Sequence, residues 1–213
     1  MGEQFKLCMF NSQFVITSIG TCCVIMHFYV FTTVIGQLVA PYGLTDQQFV
    51  IDMGLFVFGF GILGGIIFSM VLTCYPSQML NSALLVCTAA ILTLAAFFFA
   101  DTRADEKGVL VACSFLGFLL LPILFNAYEL AVEQTQYLGV GDTMSCGLIN
   151  IFANFVGFLL AICLTPALAK ETISGAWTTF IVLFANLGVA EIFLIIAKVQ
   201  QSPYIKEVQV KLC

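Results

Sequence analysis

Charge is what this sequence has least of. Only 9% of its 213 residues are charged, and seven Lys and Arg against twelve Asp and Glu leave a formal net charge of −5. A soluble domain carries about 25% charged residues, and a nucleic-acid-binding surface needs a basic patch. Hydrophobic residues make up 61% of the chain. A soluble protein of this size could not bury so many of them beneath a polar surface. The composition excludes a soluble enzyme, a disordered chain and a nucleic-acid partner. It predicts an integral membrane protein whose first partner is the lipid bilayer.

Catalytic and metal-binding motifs are also missing. The sequence has a single His and no Ser-His-Asp set, Gly-rich phosphate loop or Cys/His spacing typical of a metal site. Nine cysteines are present, but five of them lie in apolar runs, where Cys behaves as a small hydrophobic residue: Cys22, Cys23, Cys87, Cys113 and Cys163. We therefore expect structural thiols, no cofactor, no metal and no enzymatic activity.

The sequence does contain six long apolar runs. A membrane-spanning helix needs about 20 apolar residues, and only helices satisfy the backbone of such runs in lipid. The predicted spans are 13–39, 49–73, 79–100, 109–133, 143–168 and 176–199. This pattern predicts an all-α polytopic membrane protein with a short amino-terminal segment (1–12), a six-helix domain (13–199) and a polar tail (200–213). Pro203 is expected to end the last helix.

The six runs fall into two groups of three, separated by the charged turn 101–107, which we expect to be solvated. Repeats of this kind build secondary carriers. The second run is rich in glycine, and Gly61 and Gly65 have the spacing that lets helices approach closely. Two interpretations stay open: contacts that move during transport, and ordinary close packing.

Polar residues inside the predicted spans are candidate functional residues, because they are costly in lipid. Glu129 and Glu133 share one face at the end of the fourth run. A buried pair would suit proton coupling or cation binding, whereas a pair at the membrane interface would simply be solvated. Asn150 and Asn154 share one face of the fifth run, where they could line a polar pathway or join helices. Glu191 lies deeper, either paired inside an assembly or reaching towards the surface.

Two motifs resemble a known family. Tyr-Glu-Leu-Ala-Val-Glu at 128–133 resembles the end of the tenth helix of the feline leukaemia virus subgroup C receptor family, and Ser-Cys-Gly-Leu-Ile-Asn at 145–150 resembles the start of its eleventh. Phe28 and Tyr29 with Thr33 and Gln37 resemble its seventh helix. These proteins are major facilitator superfamily carriers associated with choline and haem transport. They have twelve helices, and this chain matches the carboxyl-terminal six, so the resemblance implies half of a major facilitator fold.

The resemblance also implies a site. Tyr29 would offer a cation–π surface to a quaternary ammonium, and Asn154 stands where the family has a cavity-facing Gln. The implied substrate-binding residues are Tyr29, Gln37, Asn150 and Asn154, and the implied gate residues are Glu129 and Glu133. The chain departs from the family where Thr73 and Cys74 replace an Asp-Arg type pair that belongs to the gate network.

Two functions therefore remain as hypotheses. The first is a half-size carrier for a small, choline-like organic cation, which works after pairing with another six-helix half. The second is a non-transporting accessory subunit of a larger membrane complex that keeps the transporter fold. The family resemblance favours the plasma membrane. An accessory role favours an organellar membrane, such as the mitochondrial inner membrane.

Overall fold

The computed structural model describes residues 2–75, 78–136, 139–169 and 172–212. These residues form seven α-helices and one short 3₁₀ helix, and the described ranges contain no strand. The α-helices are α1 (Gly2–Phe10), α2 (Ser12–Val39), α3 (Gln47–Cys74), α4 (Met79–Thr102), α5 (Glu106–Gln136), α6 (Asp142–Leu168) and α7 (Ile173–Leu212). The 3₁₀ helix, Ala40–Tyr42, extends α2.

The prediction of six membrane-spanning helices is confirmed. Helices α2 to α7 each contain a segment that is long and apolar enough to cross a bilayer, with mean hydropathy between 1.9 and 2.5. Each predicted run lies within one of these helices, because hydrophobic length alone determines where a helix can span. The chain is thus an all-α polytopic membrane protein.

The two ends of the chain differ from the prediction. The amino-terminal segment includes a helix, α1, and Asn11 caps the start of α2 by accepting hydrogen bonds from the backbone N–H groups of Gln13 and Phe14. The prediction that Pro203 ends the last helix is wrong, because α7 continues to Leu212. A proline removes only one backbone hydrogen bond, and the flanking Gln, Lys and Glu residues favour helix.

Helices α2 and α5 form the centre of the bundle and contact each other. Helix α2 packs mainly against α7 and α6, whereas α5 packs mainly against α3 and α4. Each central helix thus packs against the two other helices of the opposite group of three. Helices α4 and α7 also contact each other, and α3 and α6 are the least buried of the six.

Glycines bring α3 and α5 into close contact. A Cβ atom added at Gly64 would lie 2.3 Å from the carbonyl oxygen of Phe118, and one added at Gly117 would lie 2.0 Å from that of Val57. Gly61 also packs closely on α5. At Gly65 an added Cβ would make an ordinary contact, 3.4 Å from the Phe125 ring. Gly61 and Gly64 of α3 and Gly117 of α5 therefore allow the two helices to pack closely.

The charged turn 101–107 is solvated except at its first residue. Residues 102–107 are exposed, but Asp101 is fully buried, and neither of its carboxylate oxygens has a hydrogen-bond partner among the described residues. Asp101 belongs to the last turn of α4. Its side chain is therefore buried with this helix in the bundle, whereas the residues after it are exposed to solvent.

Candidate functional site

Glu129 and Glu133 lie on the last two turns of α5 and are both exposed. Neither forms a hydrogen bond or ion pair with the described residues. They share a hollow of about 410 Å³, whose other lining residues are Met79, Tyr128, Val132 and Cys146. Glu129 also borders a second hollow, of about 470 Å³, between α3 and α5. The two carboxylates are therefore open to solvent or a partner at one end of the bundle.

Tyr128 connects these carboxylates to the asparagines of α6. Its hydroxyl donates a 3.3 Å hydrogen bond to Asn150 Oδ1, and its carbonyl oxygen accepts a weak bond from Cys146 Sγ at 3.8 Å. Asn154 Nδ2 donates to Asn150 Oδ1 at 2.7 Å and to the Asn150 carbonyl oxygen at 2.8 Å. Both asparagines are exposed, so this network forms part of the accessible surface.

These carboxylates and asparagines lie at successive distances from the same end of the bundle. Glu133 and Glu129 lie three and seven residues before the end of α5, about 5 and 10 Å along the helix axis. Asn150 and Asn154 lie eight and twelve residues after the start of α6, about 12 and 18 Å from the same side. We call this series, with Tyr128, the polar track. It extends to the middle of α6, because Asn154 is the thirteenth of the 27 residues of this helix.

Tyr29 lies near the inner end of the polar track. Its ring is half-buried and packs against the same cluster of buried side chains as Tyr128, formed by α2, α5 and α6 residues such as Ile25, Ala131 and Ile149. Thr33, one turn further along α2, is exposed and donates to the Tyr29 carbonyl oxygen at 2.7 Å. Tyr29 thus contributes an aromatic face beside the polar track.

Gln37 is not part of this arrangement. It is exposed and forms no hydrogen bond with the described residues. It lies eight residues beyond Tyr29 on α2, about 12 Å further along the axis. Of the six residues suggested by the sequence, Asn150 and Asn154 are therefore bonded to Tyr128 directly or through each other, Glu129 and Glu133 share a hollow with Tyr128, Tyr29 adjoins them, and Gln37 stands apart.

Tyr128 is the residue that sequence reasoning missed as a site residue. It begins the 128–133 motif that carried the family resemblance, directly before Glu129. A tyrosine next to two carboxylates in a span was the available signal, since a Tyr hydroxyl in an apolar setting needs a hydrogen-bond partner. Its partner, Asn150, comes from a different helix, so the pairing is visible only in three dimensions.

The histidine and the cysteines are not arranged as a metal site. His27 is fully buried in α2 and stacks on Phe31, with ring centroids 6.2 Å apart, and its ring nitrogens have no hydrogen-bond partner in the described ranges. The eight described cysteines are all unbridged. Among the described residues, no three His, Cys, Asp or Glu side chains could together hold a metal ion.

A separate cavity of about 360 Å³ lies between α2 and α6, and its lining residues are mostly apolar, with one hydroxyl from Ser18 among them. Met9 of α1 closes one end, and Met26 and Val156 lie at the other. A single hydroxyl gives this cavity little means of orienting a polar substrate, so the polar track remains the better candidate site.

The six long apolar helices define an integral membrane protein with several spans, and the polar track lies on α5 and α6. A scan against protein-family models finds no match for the chain, and neither does a search of curated proteins.

Proposed function

We propose that this chain is one half of a carrier of the major facilitator type, which moves a small, choline-like organic cation after pairing with another six-helix half. In this proposal the chain catalyses no chemical reaction and needs no cofactor. The observation that carries the proposal is the polar track, whose carboxylates on the central helix α5 and asparagines on the neighbouring α6 are exposed. Polar side chains at this depth are costly in lipid unless they line a hydrated path or meet a partner.

The chemistry of the polar track suits an organic cation. A quaternary ammonium has no hydrogen-bond donor, so recognition relies on aromatic faces and oxygen dipoles. Tyr29 and Tyr128 supply the aromatic rings, and Asn150 and Asn154 supply amide oxygens. The two carboxylates near the end of α5 would raise the local concentration of cations at the entrance. A second half would cover the polar track and create the enclosed site that alternating access requires.

The packing between the two groups of three helices also supports the proposal. Each central helix packs against two helices of the opposite group of three, an arrangement expected of two related repeats. The poorly buried helices α3 and α6 would then be available to meet the second half.

A second candidate function is an accessory subunit that keeps the fold without transporting. Glu129 and Glu133 find no cationic partner among the described residues, in keeping with the replacement of the gate's Asp-Arg type pair by Thr73 and Cys74. In that case the polar track contacts a neighbouring subunit and holds no substrate.

Uptake of labelled choline into proteoliposomes tests the proposal, run beside a native-gel measurement of assembly. Tyr29→Ala removes a cation–π contact of about 1–2 kcal/mol, so we expect the apparent affinity for choline to fall about 5- to 30-fold. Tyr29→Phe keeps the ring and should retain most of the affinity. Tyr75→Ala is the matched control, because Tyr75 is an exposed tyrosine that follows α3 and lines neither of the hollows beside Glu129.

The outcomes separate the two functions. Unchanged uptake by Tyr29→Ala would remove Tyr29 from the substrate site. No uptake by the correctly assembled wild-type protein would refute the carrier and favour the accessory subunit, for which Tyr29→Ala should instead weaken assembly.

A further inference from the structure

An acidic side chain lies deep in the membrane span of α7. Thr88 of α4 donates a 2.6 Å hydrogen bond to Glu191 Oε1. Glu191 lies nine residues before the end of the span Ile173–Gln200, and Thr88 lies nine residues after the start of Met79–Thr102. Both positions are thus about 14 Å inside the same side of the bundle, near the middle of the hydrocarbon core. A Glu side chain is too short to reach the surface from there.

The surroundings of this pair are exposed and apolar. Thr88 is exposed, and Glu191 is partly exposed. The neighbouring positions on both helices present large apolar side chains to the outside, namely Leu85, Leu92, Ile192 and Ile195. We call this surface, with Thr88 and Glu191 at its centre, the α4–α7 seam.

Nothing in the described chain neutralises Glu191. Lys198 is the next basic residue on α7, but it lies seven residues further, about 10 Å along the axis, and forms no ion pair with it. A carboxylate exposed to lipid with one hydroxyl partner is strongly unfavourable. A cationic hydrogen-bond donor from outside this chain would therefore stabilise an ionised Glu191.

The shape of the α4–α7 seam allows a helix to approach. Gly188 lies three residues before Glu191, on the same face of α7, and a Cβ atom added there would meet no atom within 4 Å. A small residue beside a polar one is the arrangement that lets transmembrane helices come close enough to form a hydrogen bond between them.

We propose that the α4–α7 seam binds a transmembrane helix of another membrane protein, which places a Lys, Arg or His side chain beside Glu191. A second copy of this chain would bring a second carboxylate to the contact, which does not complement the first. Lipid headgroups lie too far from this depth to neutralise it. The surface uses helices other than those of the polar track, so the inference goes beyond the proposed function and holds whether or not the chain transports.

Synthetic leucine-rich transmembrane peptides test this inference. One peptide carries a single Lys about 14 Å from one end, a second has Leu at that position, and a third carries the Lys at its very end. Each is incorporated with the full chain in phosphatidylcholine vesicles, and binding is measured by energy transfer between labels on peptide and protein. We expect the wild-type protein to bind the first peptide about 5- to 30-fold more tightly than the other two.

Substitutions identify the group responsible. Glu191→Gln and Glu191→Leu should abolish the preference for the first peptide, and Thr88→Val should reduce it. Asp52→Asn, which removes a carboxylate near the start of α3, should leave the preference intact. Thermal unfolding of each variant verifies the fold, and Glu191→Leu should unfold no earlier than the wild type, because it removes a charge from an apolar surface.

Three results would overturn the inference. The first is equal binding of the Lys and Leu peptides by the wild-type protein. The second is a preference for the Lys peptide that persists in Glu191→Gln. The third is energy transfer between two copies of this chain that disappears in Glu191→Leu. That result would show that the α4–α7 seam binds a second copy of this chain.

Discussion

Adding one methyl group at Gly117 of α5 should destabilise the protein more than the same change at an open glycine. An added Cβ would lie 2.0 Å from the carbonyl oxygen of Val57 on α3, whereas ordinary contacts begin at 3.4 Å. The obstacle is backbone, so no side chain can rotate away. The two helices must separate by about an ångström or more, and the contacts along the crossing weaken together.

The magnitude follows from two opposing terms. Overpacking of this kind costs about 1–3 kcal/mol, while replacing Gly by Ala in a helix gains up to about 1 kcal/mol in propensity. Gly54 and Gly59 of α3 have no atom within 4 Å of an added Cβ. Gly54→Ala and Gly59→Ala should therefore show the gain in helix propensity without overpacking. The propensity gain is common to all three variants, so Gly117→Ala should be less stable than these controls by the overpacking term, about 1–3 kcal/mol. Gly64→Ala, with a clash at 2.3 Å, should behave alike.

Thermal unfolding in a mild detergent, followed by circular dichroism, measures the difference. For a chain of this size, each kcal/mol shifts the midpoint by about 2–4 °C, so Gly117→Ala should unfold about 2–12 °C below Gly54→Ala. The double variant with Gly64→Ala should lose less than the sum of the two, because helices already separated at one point accommodate the second methyl group. Equal midpoints for Gly117→Ala and Gly54→Ala would refute the close contact between α3 and α5.

Two further predictions concern a hydrogen bond between helices and a buried thiol. Asn186 donates from α7 to the carbonyl oxygen of Cys23 on α2 at 2.8 Å, so Asn186→Leu should cost about 0.6–1.7 kcal/mol in the same unfolding assay. Asn81→Leu, which removes only a local bond to Gln78, should cost less, and equal costs would contradict a role for the bond in joining the helices. In single-cysteine variants, a water-soluble maleimide should label exposed Cys74 about tenfold or more faster than fully buried Cys8. Burial also raises the pKa of the Cys8 thiol, so its labelling should still be accelerating at a pH where an unperturbed thiol is fully ionised, and similar rates at all pH values would contradict its burial.

Local chemistry determined the class of the protein. In lipid, a single run of apolar residues can form all of its backbone hydrogen bonds internally only as a helix. Six such runs were therefore sufficient to predict the six spans seen in α2 to α7. The spacing of Gly61 and Gly65 in α3 indicated a face that another helix can approach closely, and the structure shows that approach at Gly61 and Gly64, whereas Gly65 makes an ordinary contact. These properties depend on neighbours in the chain and need no knowledge of which helices meet.

Only the tertiary structure decided which side chains meet. The bond from Tyr128 to Asn150 joins residues 22 positions apart, and the bond from Thr88 to Glu191 joins residues 103 positions apart. Spacing in the sequence also could not show that Asp101 is buried whereas the rest of its turn is exposed. The physical reason is the same in each case. Hydropathy and helical periodicity fix which face of a helix is polar, whereas the partner of that face is fixed by how the helices pack against α2 and α5.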